Sequence, residues 1–246
     1  MKNTTSRLTT ALRKFHCISF LTCLLLGAST GRVEAVPIAV PNFSFENPVV
    51  ADGTFTIIVP DWTEVGSGSF QSGVYNSQDA QFGGASGTGN LPSPALGQQN
   101  LFLHTGGVGG VRRDSSSIGF IQANSTYTLT VAVGVSLDFV NLPPLRQARI
   151  SLFGNGTELP GFISVDPGTI TPGTFVDYMA TFTTGEVDPI IGQSLSVSLG
   201  YSSDGLSGVK VDNVRVDVTT VPEPTATLLL VSSSCLLGLR RRRFGK

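Results

Sequence analysis

The run Tyr127-Thr-Leu-Thr-Val-Ala-Val-Gly-Val135 puts Tyr127, Leu129, Val131, Val133 and Val135 at every second position, with Thr, Ala and Gly between them. Period two is the spacing of a strand with one buried and one wet face, whereas a helix needs apolar residues three and four apart. Leu195, Val197 and Leu199 repeat the rhythm, and it can be read in Thr54–Val59, Asn100–His104, Gly119–Gln122, Ala148–Phe153, Thr174–Thr183 and Val209–Val218. Gly or Pro breaks almost every other stretch, which leaves little room for a helix. About eight strands with no helical crossover predict an all-β, antiparallel sandwich. Residues Gly66–Ser93 are poor in large apolar side chains and read as a long loop or two hairpin tips on the sandwich rim.

The two ends follow other rules. Lys2, Arg7, Arg13 and Lys14 precede the apolar run Cys17–Ala28, and Val33-Glu34-Ala35 supplies the small residues of a cleavage site. Residues 1–35 are therefore expected to be a signal peptide with a helical core, cut after Ala35, with the Gly27–Ser29 region as the alternative. Cys23 does not fit a lipoprotein signal, because Thr22 stands where a smaller residue is wanted. At the other end Pro222, Glu223 and Pro224 precede the apolar run 225–239 and four arginines, Arg240, Arg241, Arg242 and Arg243. The arginines hold their side of the membrane, since moving one charge through hydrocarbon costs about 2.5 kcal/mol or more. The run is shorter than the roughly 20 residues of a full span, so a transient hydrophobic helix fits better than a permanent anchor. The expected division is 1–35, 36–220 and 221–246.

This tail closely resembles the PEP-CTERM sorting signal of Gram-negative bacteria that make exopolysaccharide. The resemblance implies an exosortase-type processing enzyme as partner. It also implies export to the cell envelope or beyond, with membrane tethering through the C-terminal helix until processing.

Removing the ends changes the chemistry that is available. Cys17, Cys23 and Cys235 all lie in them, so residues 36–221 have no thiol for a disulfide, a nucleophile or a metal site. Six basic residues (Arg112, Arg113, Arg146, Arg149, Lys210, Arg215) stand against fifteen acids, a net −9 where the whole chain has −1. Such a surface excludes nucleic acid, which needs a basic footprint. His104 is alone, without zinc-type companions, and no Gly-x-Ser-x-Gly elbow offers it a nucleophile. The glycines at 106–110 lack a P-loop lysine and read as a flexible loop. Asp114 beside Arg112 and Arg113 reads as a locally neutralised loop, and Asn42, Asn124 and Asn155 as turn residues.

Several phrases recur in a familiar order: PNFSFENP from Pro41, Pro60-Asp61-Trp62, GQQNLFL from Gly97, ARISLFGNGTEL from Ala148, FVDYMATFTT from Phe175 and VKVDNVRVD from Val209. The order resembles the galactose-binding-like jelly roll, including its carbohydrate-binding modules. The resemblance implies a structural calcium held by Glu46 and Asp212, with Asn213 a lesser ligand, and no other cofactor. Read from the residues alone, Glu46 equally well caps a turn and Asp212 pairs with a strand group. Phe43 and Phe45 are expected in the core of the first strand and Trp62 as a core plug. Tyr75, Phe70 and Phe82 are expected on an exposed binding face. The expected function is an exported, non-catalytic surface or exopolysaccharide-matrix protein with an optional glycan ligand. A secreted glycoside hydrolase or lyase using a carboxylate pair is the alternative, and a purely structural component the third reading.

Overall fold

Alternation becomes sheet in the computed structural model, which describes residues 34–66, 70–82, 90–106, 108–138 and 146–221. The first sheet has the order β12 (Thr174–Thr183), β8 (Ser125–Val135), β14 (Leu206–Thr220), β5 (Gln99–Gly106), β4 (Phe70–Asn76), β2 (Phe55–Thr56), and β1 (Val36–Ile38) also pairs with β14. The second runs β10 (Thr157–Glu158), β9 (Arg146–Gly154), β13 (Ser194–Ser203), β6 (Gly109–Ser115), β3 (Trp62–Val65). On it, β11 (Ile163–Val165) pairs with β9 and β7 (Gly119–Phe120) with β13. Every pairing is antiparallel. The all-β sandwich is therefore as predicted. The two terminal helices, the Pro222-Glu223-Pro224 motif and Arg240–Arg243 lie outside the described residues.

The core is the set of alternating positions. Tyr127, Leu129, Val131, Val133 and Val135 of β8 face Leu195, Val197, Leu199 and Tyr201 of β13 across one continuous apolar cluster. Strand β14 shows how the frame is kept: Val209 and Val211 are buried, and then the buried set moves to Val214 and Val216. A bulge between Asp212 and Arg215, with Asn213 at φ 47°, absorbs the extra residue. Without it, the later valines would point to the outer face. Asn42, Asn124 and Asn155 also have φ near +47°, the left-handed conformation that asparagine tolerates in turns.

Several local expectations are corrected. Residues 66–93 are not one loop: they contain β4, paired with β5 along its length. Strand β4 lacks the apolar signature because an inward position is the polar Ser72, which bonds Arg113, and the outward Gly73 sits against a backbone carbonyl, so a Cβ there would come 2.0 Å from the Thr56 oxygen. The predicted strand Thr54–Val59 pairs only over Phe55–Thr56, because beyond it the Ile57 carbonyl turns to accept from Arg113 (2.8 Å). Phe43 and Phe45 belong to a turn, not a strand. Phe45 (φ 52°) drops into the core against Trp62, ring centroids 5.3 Å apart, while Phe43 is exposed. Trp62 is buried and donates from its indole nitrogen to the Pro41 carbonyl (3.0 Å). Arg112, Arg113 and Asp114 form a strand rather than a loop: Arg112 and Asp114 point outward and pair at 2.9 Å, and Arg113 points inward.

An aromatic face with one buried cation

Cross-strand register lines up five outward positions of the first sheet: Phe175, Gly134, Lys210, Phe102 and Gly73, on β12, β8, β14, β5 and β4 in turn. Gly134 leaves room for the Phe175 ring, which lies 2.7 Å from where a Cβ would stand. That ring stacks on Phe82 at 4.8 Å and 26°. On the other side Phe102 meets Phe55 edge-on at 5.4 Å and Tyr75 at 6.5 Å. Between these groups sits Lys210, 8% exposed, its Nζ 4.0 Å from the centroid of Tyr75 and 5.5 Å from that of Phe102. Aromatic faces attract a cation. They replace the hydration that burial removes only in part, and burial brings the Lys210 pKa down to about 7, with the charge of Asp138 opposing the shift.

The polar groups around the lysine are linked. Gln81 Nε2 donates to Asp138 Oδ2, and the Gln81 carbonyl accepts from the Leu137 amide at 2.9 Å. Burial raises the Tyr75 phenol, against a hydrogen bond with Gln81. His104 occupies the next outward position of β5, and burial followed by the charge of Lys210 lowers its pKa. The face thus carries five aromatic rings in two groups, Phe82 with Phe175 and Phe55 and Tyr75 with Phe102, and the polar side chains Lys210, His104, Tyr75 and Asp138.

Of the three aromatics expected on an exposed face, Tyr75 is there, half-buried. Phe82 is buried in its stack with Phe175 instead, because Ala132 and Ala95 leave a hollow that the ring fills. Phe70 opens β4. Lys210, Phe102 and Phe175 were not singled out from the sequence. Each is an outward position in a strand, where a lysine or phenylalanine between apolar neighbours gives no signal until the partner strands are known.

Glu46 and Asp212, far apart in sequence, do come together. Glu46 Oε1 accepts from the amides of Gln98 and Gln99, both at 2.9 Å, and Asp212 Oδ2 accepts from the Leu96 amide at 2.6 Å. Burial pushes Asp212 up to about 8, with the charge of Glu46 adding to it. Asp212 is fully buried and its Oδ1 has no hydrogen-bond partner among the described residues. An orphaned carboxylate oxygen beside a second carboxylate fits a cation that takes oxygen ligands. Among the described residues no group of three or more His, Cys, Asp or Glu side chains is placed to hold a metal, so backbone carbonyls or waters would have to complete the shell. Asn213 turns elsewhere, donating to the Pro94 carbonyl at 2.7 Å.

Two clefts have other linings. One of about 300 Å³ on the outside of the second sheet is lined by Arg112, Arg149, Phe153, Glu158, Ser198 and Gly200. Its arginines are tied to Asp114 and Glu158. Another of about 380 Å³ is lined by Ile57, Glu64, Gln71 and Arg113.

The fold is thus an antiparallel sandwich whose first sheet gathers aromatic rings around one buried lysine on its outer face. The comparisons give its kinship: the HpiC1-like family, described as HpiC1 cyclase, matches residues 36–217, and the chain belongs to that family. Among solved structures it is similar to the apo form of a cyclase from Fischerella sp. (22% identity, TM-score 0.62, covering 77% of this chain and 98% of that one). It is also similar to a Stig cyclase, Fisc, from Fischerella sp. TAU in complex with (3Z)-3-(1-methyl-2-pyrrolidinylidene)-3H-indole (23%, 0.61, 77% and 100%). A cyclase from the same source in complex with 4-(1H-indol-3-yl)butan-2-one matches similarly (22%, 0.61, 77% and 100%). No curated protein matches the chain. At these identities the structural likeness is one of fold.

Membership overturns the functional expectation. The family is that of a cyclase, so the non-catalytic, glycan-binding matrix protein is withdrawn, and the carboxylate-pair glycosidase or lyase has no support. The PEP-CTERM and exosortase description gains no support either. The misreading has a physical source: sandwich phrases such as FSFE and VDNV record how strands close, and unrelated chemistries share them.

Proposed function

We propose that this protein is a cyclase that closes a ring on an apolar, aryl-bearing small molecule at the outer face of the first sheet. The match of residues 36–217 to the HpiC1-like family is the observation that carries the reading. The site adds support: ring closure onto an electron-poor carbon develops positive charge, and the faces of Tyr75, Phe102, Phe175 and Phe55 are suited to stabilise it. Proton transfer falls to Lys210, His104, Tyr75 and Asp138. The indole compounds bound by the Fischerella cyclases supply the first probes.

The test uses 4-(1H-indol-3-yl)butan-2-one as ligand and aryl alkenes as substrates. The ketone raises the melting temperature, and Tyr75→Ala and Phe102→Ala each weaken binding about tenfold or more, equivalent to about 1.4 kcal/mol. Ring closure at the expense of a double bond leaves the mass unchanged, so products appear as new isomers by chromatography and NMR. Neither binding nor isomer formation across such a panel would sink the proposal.

Two further readings belong here. Glu46 and Asp212 are proposed to hold a calcium ion, which would neutralise both carboxylates and fasten the 92–98 loop to β14. The orphaned Asp212 oxygen supports it. Export is proposed from the leader at 1–35 and the tail that starts at Pro222, with mass spectrometry of both termini of the native protein as the test. Intact residues 1–35 and 222–246 on the mature protein would argue against it.

A further inference from the structure

We infer that Lys210 captures a carbonyl group: its ε-nitrogen condenses with an aldehyde or ketone on an aryl-bearing ligand to form an iminium. The inference rests on reading the aromatic face as the ligand site. Its starting point is a contrast among the basic residues of the body. All five arginines are paired with carboxylates, at 2.5 to 3.1 Å: Arg112 with Asp114, Arg113 with Glu64, Arg146 with Asp166, Arg149 with Glu158 and Arg215 with Asp177. Lys210 is the sole lysine between residues 36 and 221. It has no ion pair among the described residues and lies buried against two rings. A buried ammonium without a salt bridge is costly. The two rings and the charge of Asp138 offset that cost only in part, so the buried amine calls for a further role.

The chemistry balances without a further reagent. An ammonium and a carbonyl give a protonated iminium and one water: the C=O bond breaks, C=N forms, and two protons leave nitrogen with the oxygen. The charge is +1 on both sides, so the cation keeps its place against Tyr75 and Phe102 throughout. In this proposal those protons pass to His104, the next outward position of β5 after Phe102, and to Asp138, which accepts from Gln81. The iminium carbon is strongly electron-poor, which is the kind of centre a tethered aryl ring or alkene attacks. The ligand class is therefore an aryl aldehyde or ketone with the ring seated among Tyr75, Phe102 and Phe55.

The experiment is reductive trapping on the whole protein with 4-phenylbutan-2-one, using 4-phenylbutan-2-ol as the matched ligand without a carbonyl. Borohydride is expected to fix an adduct heavier than the protein by the ketone less one oxygen, found in the peptide that contains Lys210. Excess alcohol should suppress it, and Lys210→Met, checked for an unchanged fold by circular dichroism, should lose it. No adduct, or an adduct confined to Lys2, Lys14, Lys246 or the amino terminus, overturns the inference. If the alcohol and ketone both raise the melting temperature and no adduct forms, carbonyl capture fails and the ligand site stands. If neither ligand shifts it, the site reading fails as well.

Discussion

Arg113 offers the sharpest test of how the two sheets are held at the corner beside the aromatic face. Its guanidinium is 4% exposed and donates to five oxygens: Ser72 Oγ (2.7 Å), the Ser72 carbonyl (2.8 Å), the Trp62 carbonyl (3.1 Å), the Ile57 carbonyl (2.8 Å) and Glu64 Oε2 (3.0 Å). Those acceptors come from β4 of one sheet, β3 of the other and the segment between β2 and β3, so one side chain ties three pieces of chain. Burial works against the charge and Glu64 supports it. Arg113→Met keeps the stem and removes every donor, stranding three backbone carbonyls, whereas Glu64 is partly exposed and keeps Ser72 Oγ as a donor. At about 1 kcal/mol or more for each stranded carbonyl, the loss is about 3–5 kcal/mol. For a domain of this size that is a fall in melting temperature of roughly 6–20 °C. The control is one residue away. Arg112→Met removes a half-exposed pair with Asp114, worth about 1 kcal/mol or less. Urea denaturation of both variants gives the comparison. If Arg113→Met costs no more than Arg112→Met, the claim that this inward charge fastens the corner is wrong.

Gly134→Ala should cost about 1–3 kcal/mol, because the new Cβ would stand 2.7 Å from the Phe175 ring and force it off Phe82. Gly185→Ala, where nothing lies within 4 Å, should stay within about 0.5 kcal/mol in the same denaturation assay. Added calcium should raise the melting temperature of the wild type and not that of Asp212→Asn, and EDTA should reverse the rise. An unchanged wild type removes the metal proposal, although Glu46→Ala will still destabilise by stranding the Gln98 and Gln99 amides. Arg149 holds the Glu158 carboxyl below its ordinary value near 4.5. A depressed acid adds stability that is complete above that value and lost as pH falls through the lower, folded one. The pair is partly exposed, so the amount is below about 1 kcal/mol. Glu158→Gln should flatten that small acid-side decline in an unfolding series taken from pH 6 to 3.

Where alternation was strong, the strands were legible. Tyr127–Val135 and Ser194–Tyr201 fold as read because each inward side chain is apolar and each outward one small or polar. Where a strand carries its meaning in backbone approach, as β4 does with Gly73, composition pointed to a loop. The outward positions were harder still. Arg112 and Arg113 are the same residue type side by side, yet one points outward and the other inward to five oxygens.

From its order of residues alone, this chain was committed to two antiparallel sheets, an acidic body and a cysteine-free interior, because period, charge and composition are local properties. The site belongs to the tertiary structure. Lys210, Phe102, Gly134 and Phe175 became neighbours only when β14 was laid between β5 and β8 and β12 against β8. The bulge at Asn213 then fixed which face each residue shows. Cross-strand neighbours are set by pairing and register, and neither is written in any one segment.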